Sequence, residues 1–115
     1  MIPFKIIKIN AIDSTNNEIK RLYHNKLHLN GLVVWAKNQT DGRGQGNKKW
    51  LSHPNKNLTF SIFLDSKNLS LSTYLCLNLI SSLSVKKVLM NNGINNLFIK
   101  WPNDILSVNK KVSGI

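Results

Sequence analysis

Two periods of apolar and polar residues run along this chain, and the switches between them outline its elements. Residues 5–12 (KIIKINAI) are rich in β-branched side chains and predict a strand, which Asp13-Ser14-Thr15 breaks. Thr15 and Glu18 have the spacing of a capping box, in which hydroxyl and carboxylate satisfy each other's amide donors. Ile19 with Leu22 or Tyr23 carries a helical spacing on to about Lys26. Asn30-Gly31 marks a turn. Residues 32–37 (LVVWAK) are almost continuously apolar, as in a strand covered on both faces. Residues 57–64 (NLTFSIFL) read as a strand, after turn chemistry at 52–55. Residues 70–90 form the longest helical pattern. Leu75, Leu79, Ser82 or Leu83, and Lys86 fall at 3–4 spacing in it, and Lys86, Lys87 and Gly93 mark its end. A short strand at 97–100, a turn at 101–104, a strand at 105–108, a hairpin corner at Asn109-Lys110 and an opening strand at 111–115 complete the pattern.

Between the second and third strands lies the least regular stretch, 38–50 (NQTDGRGQGNKKW). Gly42, Gly44 and Gly46 occupy alternate positions, with Arg43 between the first two and Lys48 and Lys49 after them. Glycine at this density suits neither helix nor strand, because each residue costs backbone entropy and packs nothing. It does let backbone amides approach a ligand closely. Flanked by cations, such a loop suits a carboxylate or phosphate held in a nest of N–H groups. A polar surface turn is the bland alternative.

The order β-α-β-loop-β-α-β-β predicts an α+β domain, with helices gathered on one face of a mixed or antiparallel sheet. With 115 residues the chain has room for one small domain with a single core, and a hydrophobic content of 42% argues against disorder. No apolar run approaches the ~18 residues of a membrane span, and the lysine-interrupted N-terminus lacks a signal-peptide pattern. The expectation is a cytoplasmic protein without membrane attachment. The single cysteine, Cys76, excludes an internal disulfide or a CxxC metal site, and its apolar helical setting predicts a buried, inert thiol. His24, His28 and His53 show no metal spacing and read as surface residues. Net charge is +11, from 16 Lys+Arg against 5 Asp+Glu. The lysines are scattered rather than blocked, which favours compositional drift plus an anionic substrate over a dedicated nucleic-acid surface.

Four pieces stand out: Asp13-Ser14-Thr15-Asn16; Gln39 with Gly42-Arg43-Gly44; Lys100-Trp101-Pro102-Asn103-Asp104; and Lys111 with Gly114-Ile115. In this order they closely resemble the catalytic domain of biotin–protein ligases (biotin–acetyl-CoA-carboxylase ligases), from about Ile7 to Ile115. The KWPND turn followed by K-x-S-G-I is the most specific part; the GRG loop alone is weak. The fold implied is class II synthetase-like, incomplete at the C-terminus. The chain stops at Ile115 in what reads as a strand, so the expectation is the N-terminal part (1–115) of a longer catalytic domain. Its small C-terminal domain would be missing, and no helix-turn-helix would precede Ile7.

The resemblance implies a two-step reaction with biotin and ATP as substrates and Mg²⁺ expected. Biotinyl-5′-AMP forms first, and a lysine of a biotin carboxyl carrier protein, the acetyl-CoA carboxylase subunit, then takes the biotinyl group. It leaves a homodimer open. By the same resemblance Ser14, Thr15, Asn16 and Gln39 hold biotin's ureido end. Gly42, Arg43, Gly44 and Gly114 approach biotin, and Arg43, Gln45, Lys100, Asn103 and Lys111 serve ATP. Lys111 bridges the biotin carboxylate and the α-phosphate, so that Lys111 and Arg43 are the catalytic pair. Metal ligands are not identified; Asp104 could hold Mg²⁺ through water or anchor the turn by side-chain-to-backbone bonds. Trp35 and Trp50 could floor biotin's ring or pack in the core. Gln45 stands where many relatives have arginine, and a later loop glycine is shifted at Gly46-Asn47, which would loosen the grip on the adenylate. Two other classes of function compete. One is a biotin-binding module or inactive fragment without turnover; the other is a basic nucleic-acid-binding domain, motivated by charge alone.

Overall fold

The computed structural model describes residues 2–25, 28–67 and 69–115. The chain forms two compact units, Met1–Asp65 with a three-stranded and a two-stranded sheet and Ser66–Ile115 with a three-stranded sheet.

In the first unit β1 (Lys5–Ile9) lies parallel to β2 (Leu32–Ala36), and β2 pairs antiparallel with β5 (Thr59–Ile62), giving a mixed sheet in the order β1-β2-β5. The helix α1 (Thr15–His24) connects the parallel pair. A parallel pair cannot be joined by a tight turn, so the crossover helix follows from the pairing. Lys26, the expected helix end, lies outside the described residues. The core is Ile19 of α1 with Leu29, Leu32 and Val34, supported by Ile7, Ile9, Leu22 and Phe63. Full burial of an aliphatic side chain such as Val34 contributes about 1.5–3 kcal/mol. The β2 run is not equally covered on both faces. Leu32, Val34 and Ala36 are buried while Val33 and Trp35 are half-buried, and Ile6, Phe60 and Ile62 of the neighbouring strands are exposed.

The glycine stretch is a correction to the sequence reading. It contains two short strands, β3 (Gly42–Arg43) and β4 (Lys49–Trp50), paired antiparallel as a small hairpin. Only its tip needs glycine's left-handed freedom, at Gly46 with φ of 63°.

The second unit runs from α2 (Leu71–Asn91) through an antiparallel meander of β6 (Leu97–Lys100), β7 (Asp104–Ser107) and β8 (Lys110–Gly114). Ser70 caps α2 by accepting the Thr73 N–H at 3.2 Å. At the other end Gly93 takes φ of 82°, its N–H reaches the Met90 carbonyl, and the Ile94 N–H reaches that of Leu89. This is the Schellman closure that a glycine just past a helix permits. The β7–β8 corner is Val108-Asn109, both at positive φ, one residue earlier than expected.

Two side-chain expectations fail on α2. Leu75 is 71% exposed and Leu79 and Leu83 are exposed as well, whereas Ser82 is buried and Lys86 half-buried, so only the later part of the predicted stripe is covered. Thr73, Leu77, Ser81, Ser82, Val85, Lys86 and Leu89 are the covered positions. Cys76 is exposed rather than buried. The cause is common to both: leucines occur all round this helix, so periodicity cannot choose a face.

Gly31 sits at φ of 83°, and a Cβ there would run into the Pro3 carbonyl oxygen; Gly93 has the same φ region but open space. Gly93→Ala should therefore cost about 1–2 kcal/mol, the left-handed penalty alone. Gly31→Ala should cost more. Urea unfolding of both variants checks the order.

Candidate functional site

The first unit builds a polar cradle where β1 ends and α1 begins. Ser14 is extended (φ −156°) and is the N-cap of α1, its Oγ accepting the Asn17 N–H at 3.4 Å. The cap is thus one residue earlier than the box through Thr15 and Glu18. Glu18 does not reach back; its carboxylate accepts from Arg21 Nε at 2.8 Å. Thr15 is freed for another contact. Its backbone N–H, one of the orphan donors of a helix start, donates to Gln39 Oε1 at 2.8 Å, and its hydroxyl lies 3.1 Å from the same oxygen. Thr15 Oγ1 also meets Ser61 Oγ of β5 at 2.7 Å, and Ser61 Oγ lies 2.7 Å from Asn16 Oδ1. Ser14 and Thr15 are each only 2% exposed, whereas Gln39 and Ser61 are half-buried and Asn16 is exposed.

Backbone bonds lock this corner to the start of the hairpin. The Ile12 N–H donates to the Asn38 carbonyl, the Thr40 N–H to Ile12 and the Asp41 N–H to Asp13, at 2.8–3.1 Å. Gly42 follows. A Cβ there would lie 2.6 Å from the Trp50 carbonyl oxygen and 2.7 Å from Gln39 Nε2, so this position admits no side chain without movement. Beyond it a cleft of about 250 Å³ is lined by Arg43, Lys48 and Lys49 against one acid, Asp41. Its surroundings are cationic and open, as an anion site requires. The Gly44 N–H, expected in the nest of amides, is donated to the Lys48 carbonyl at 2.8 Å. While the hairpin holds, that amide closes the loop. Gln45 is exposed beside it, and Trp35 is half-buried with Lys8 Nζ 5.1 Å from its ring centroid.

The second unit places the other candidates. Lys111 on β8 forms an ion pair with Asp104 of β7, Nζ to Oδ1 2.8 Å. The side chain of Asp104 thus meets an ammonium rather than the backbone of the turn. Gly114 stands opposite Asp104 in the ladder, and Lys100 is exposed at the far side of the same strand end. Asn103 binds Ile115 twice, accepting its N–H at 2.9 Å and donating Nδ2 to its carbonyl at 2.6 Å. Trp101 precedes a cis bond to Pro102 and is exposed.

Sequence reasoning missed Ser61, Asp104 as the partner of Lys111, and a cluster around Asp13. The Asp13 carboxylate accepts two bonds from Arg21 at 2.7 and 3.1 Å and one from Asn17 Nδ2 at 2.9 Å. The signal was present: Asp13, Asn17 and Arg21 are spaced by four, one side of a helix. Likewise Thr59 and Ser61 are polar at alternate positions of an apolar strand. Among the described residues no three His, Cys, Asp or Glu converge to hold a metal, and His24, His28 and His53 are exposed. No described helix is long and apolar enough to cross a membrane.

A model of the biotin/lipoate A/B protein ligase family matches residues 9–115. The bifunctional ligase/repressor BirA of Escherichia coli (strain K12) is 31% identical over 106 residues, which are 91% of this chain and 32% of that protein. The biotin–protein ligase of Schizosaccharomyces pombe is 36% identical over 81 residues, 65% of this chain and 13% of that one. Among solved structures, the Leishmania major biotin protein ligase with biotinyl-5-AMP superposes with a TM-score of 0.79 at 28% identity, covering 97% of this chain and 51% of that chain. The Aquifex aeolicus ligase with biotin and ATP gives 0.77 at 34% identity, covering 96% and 44%. The α+β expectation agrees with these folds. The chain spans about a third of the length of the BirA relative it matches.

Arg21 and its hydrogen bonds hold the Asp13 carboxyl well below the usual carboxylate range, helped by Asn17 and the Ser14 N–H. The stabilisation this group gives is complete above its unfolded pKa of about 3.9 and is lost as pH falls through the lower folded value. The Asp13–Arg21 pair is solvent-exposed, so salt should weaken it. Asp13→Asn should therefore flatten the fall of melting temperature below about pH 4. Thermal scans from pH 6 to 2, at low and high salt, check this.

Proposed function

The chain belongs to the biotin/lipoate A/B protein ligase family, and from that premise we propose that it takes part in ATP-dependent ligation of biotin to a lysine of a biotin carboxyl carrier protein. The observation that carries the reading is the polar cradle of Thr15, Gln39 and Ser61 beside a glycine that admits no side chain and a hairpin bearing Arg43. A ureido ring carries two N–H donors and one carbonyl acceptor, and a cradle of hydroxyl and amide groups offers both kinds of partner. In this reading Ser14, Thr15, Asn16 and Gln39 define the ureido end, with Gly42 and Gly44 giving the backbone room to approach. Arg43, Gln45, Lys100, Asn103 and Lys111 meet the nucleotide, and Gly114 lets the backbone approach biotin.

In the first step a carboxylate oxygen of biotin forms a bond to the α-phosphorus of ATP, and the bond to the β-phosphate oxygen breaks, releasing pyrophosphate. In the second a neutral lysine amine of the carrier attacks the acyl carbon, AMP leaves and the amine loses a proton. Both reactants of the first step are anions. Fixed cations that meet the charge gathering on the phosphoryl oxygens lower the barrier. Arg43 and Lys111 fill that role, Lys111 as a compact ammonium able to follow moving oxygens. Its pairing with Asp104 means that an incoming anion competes with a carboxylate already in place. Among the described residues no three His, Cys, Asp or Glu side chains converge to cage a magnesium ion.

Charge-assisted hydrogen bonds contribute roughly 1.5–3 kcal/mol each. Lys111→Ala and Arg43→Ala should each slow biotin-dependent ATP–pyrophosphate exchange by about 10- to 100-fold, leaving the fold intact by circular dichroism. Unchanged exchange in both variants would remove this assignment. Biotin binding by calorimetry without any exchange in the unaltered chain would instead favour a module that binds without turnover.

A further inference from the structure

The second unit is cationic with one exception. Asp104 is the only acidic residue in 66–115, and it stands between two lysines. Lys100 is its direct partner across the β6–β7 ladder. Side chains directly opposite each other share one face of a sheet and lie close enough to pair. Lys111 approaches from the other side. It stands opposite Leu106, and its Nζ reaches diagonally to Asp104 Oδ1 at 2.8 Å. Gly114, the ladder partner of Asp104 on β8, puts no side chain in the way. Of its two neighbours the carboxylate takes Lys111, while Lys100 is exposed and has no ion-pair partner among the described residues.

An anion that draws the Lys111 ammonium away takes the partner from a carboxylate whose side chain is only 24% exposed. Left alone, that carboxylate would be an uncompensated charge. It would also face the incoming anion with the same sign. Lys100 relieves both. Its ammonium rides on a flexible four-carbon stem, starts directly across the ladder and needs only a side-chain rotation to close on Asp104. We propose that Asp104 is a shared carboxylate: it holds Lys111 while no anion is bound and passes to Lys100 when an anion takes Lys111. No covalent bond changes and no proton moves; two ammonium groups exchange at one carboxylate. Asp104 stays neutralised in both states, so Lys111 is released without stranding a charge. Lys100 and Asp104 are then positioning residues that act through Lys111. The identity of the anion rests on the ligase reading above, and there Lys100 serves the nucleotide end by way of Asp104. The exchange itself belongs to the chain and is measurable without a ligand.

Lys111→Met imitates the departure of Lys111. A water-soluble carbodiimide, which joins a carboxylate to an amine held against it, should link Asp104 to Lys100 in that variant and to Lys111 in the unaltered chain, as read by mass spectrometry of the digested protein. A variant without the Asp104–Lys100 link overturns the proposal. Thermal unfolding at low salt is the second measurement. Lys100→Met and Lys111→Met together should lower the melting temperature by about 2–4 °C more than the sum of the single shifts, because either lysine covers for the loss of the other. The excess should vanish when Asp104→Asn is added. Simple additivity overturns the proposal. Biotin-dependent ATP–pyrophosphate exchange then tests the tie to function. Lys100→Met should slow it about threefold or more, and should have no effect in the Asp104→Asn chain. An equal loss in both backgrounds means that Lys100 touches the substrate itself, and overturns its positioning role. If the unaltered chain performs no exchange, the ligase reading fails while the crosslink and the melting cycle still decide the shared carboxylate.

Discussion

One side-chain carbonyl organises the first unit. Gln39 Oε1 accepts the first amide of α1 and lies beside the Thr15 hydroxyl. A helix start brings orphan N–H groups that must be satisfied when they are covered. Here one is satisfied from the connection leading out of β2, not from the helix's own cap. The bond therefore fixes the N-terminus of α1 against the root of the glycine hairpin. Gly42 completes the arrangement, since the room a Cβ would need is filled by Gln39 and the Trp50 carbonyl. Helix start, strand end and hairpin root become one rigid corner, and the exposed arm beyond carries the cations.

Charge follows a different rule in each unit. On the hairpin, Arg43, Lys48 and Lys49 line a cleft opposed by Asp41. On β8, Lys111 is held by Asp104 at 2.8 Å. A paired cation is positioned but partly neutralised, whereas an open cluster attracts without positioning. Asp13 is a third case. It draws the hydrogen bonds of Arg21 and Asn17 and gives its backbone carbonyl to Asp41, so its charge serves the corner itself.

The element order was legible because each element has a local signal. Leu97–Lys100 was readable to the residue, and the long helical pattern at 70–90 lies within one residue of α2 at either end. What sequence could not settle were choices between near-equivalent local options. Ser14 and Thr15 can both cap a helix; tertiary demand from Gln39 and Ser61 takes Thr15 away and leaves Ser14. The hairpin was hidden because its strands are two residues long and glycine-rich. The inward face of α2 was hidden because apolar residues surround it. Candidate site residues were legible as a set, through motifs, but their partners were not. No spacing rule announces that Lys111 meets Asp104, because its partner in the ladder is Leu106 and Asp104 lies two positions further along the same face of β7.

The doubled bond between Asn103 and Ile115 has a mechanical meaning. It turns the meander after the cis-prolyl bend into a closed hoop, with Asp104 at one end and the Lys111 strand returning along the other side. The far end of the Lys111 strand is thereby tied to the residue that precedes Asp104, so both partners of the ion pair stand on one closed loop of backbone.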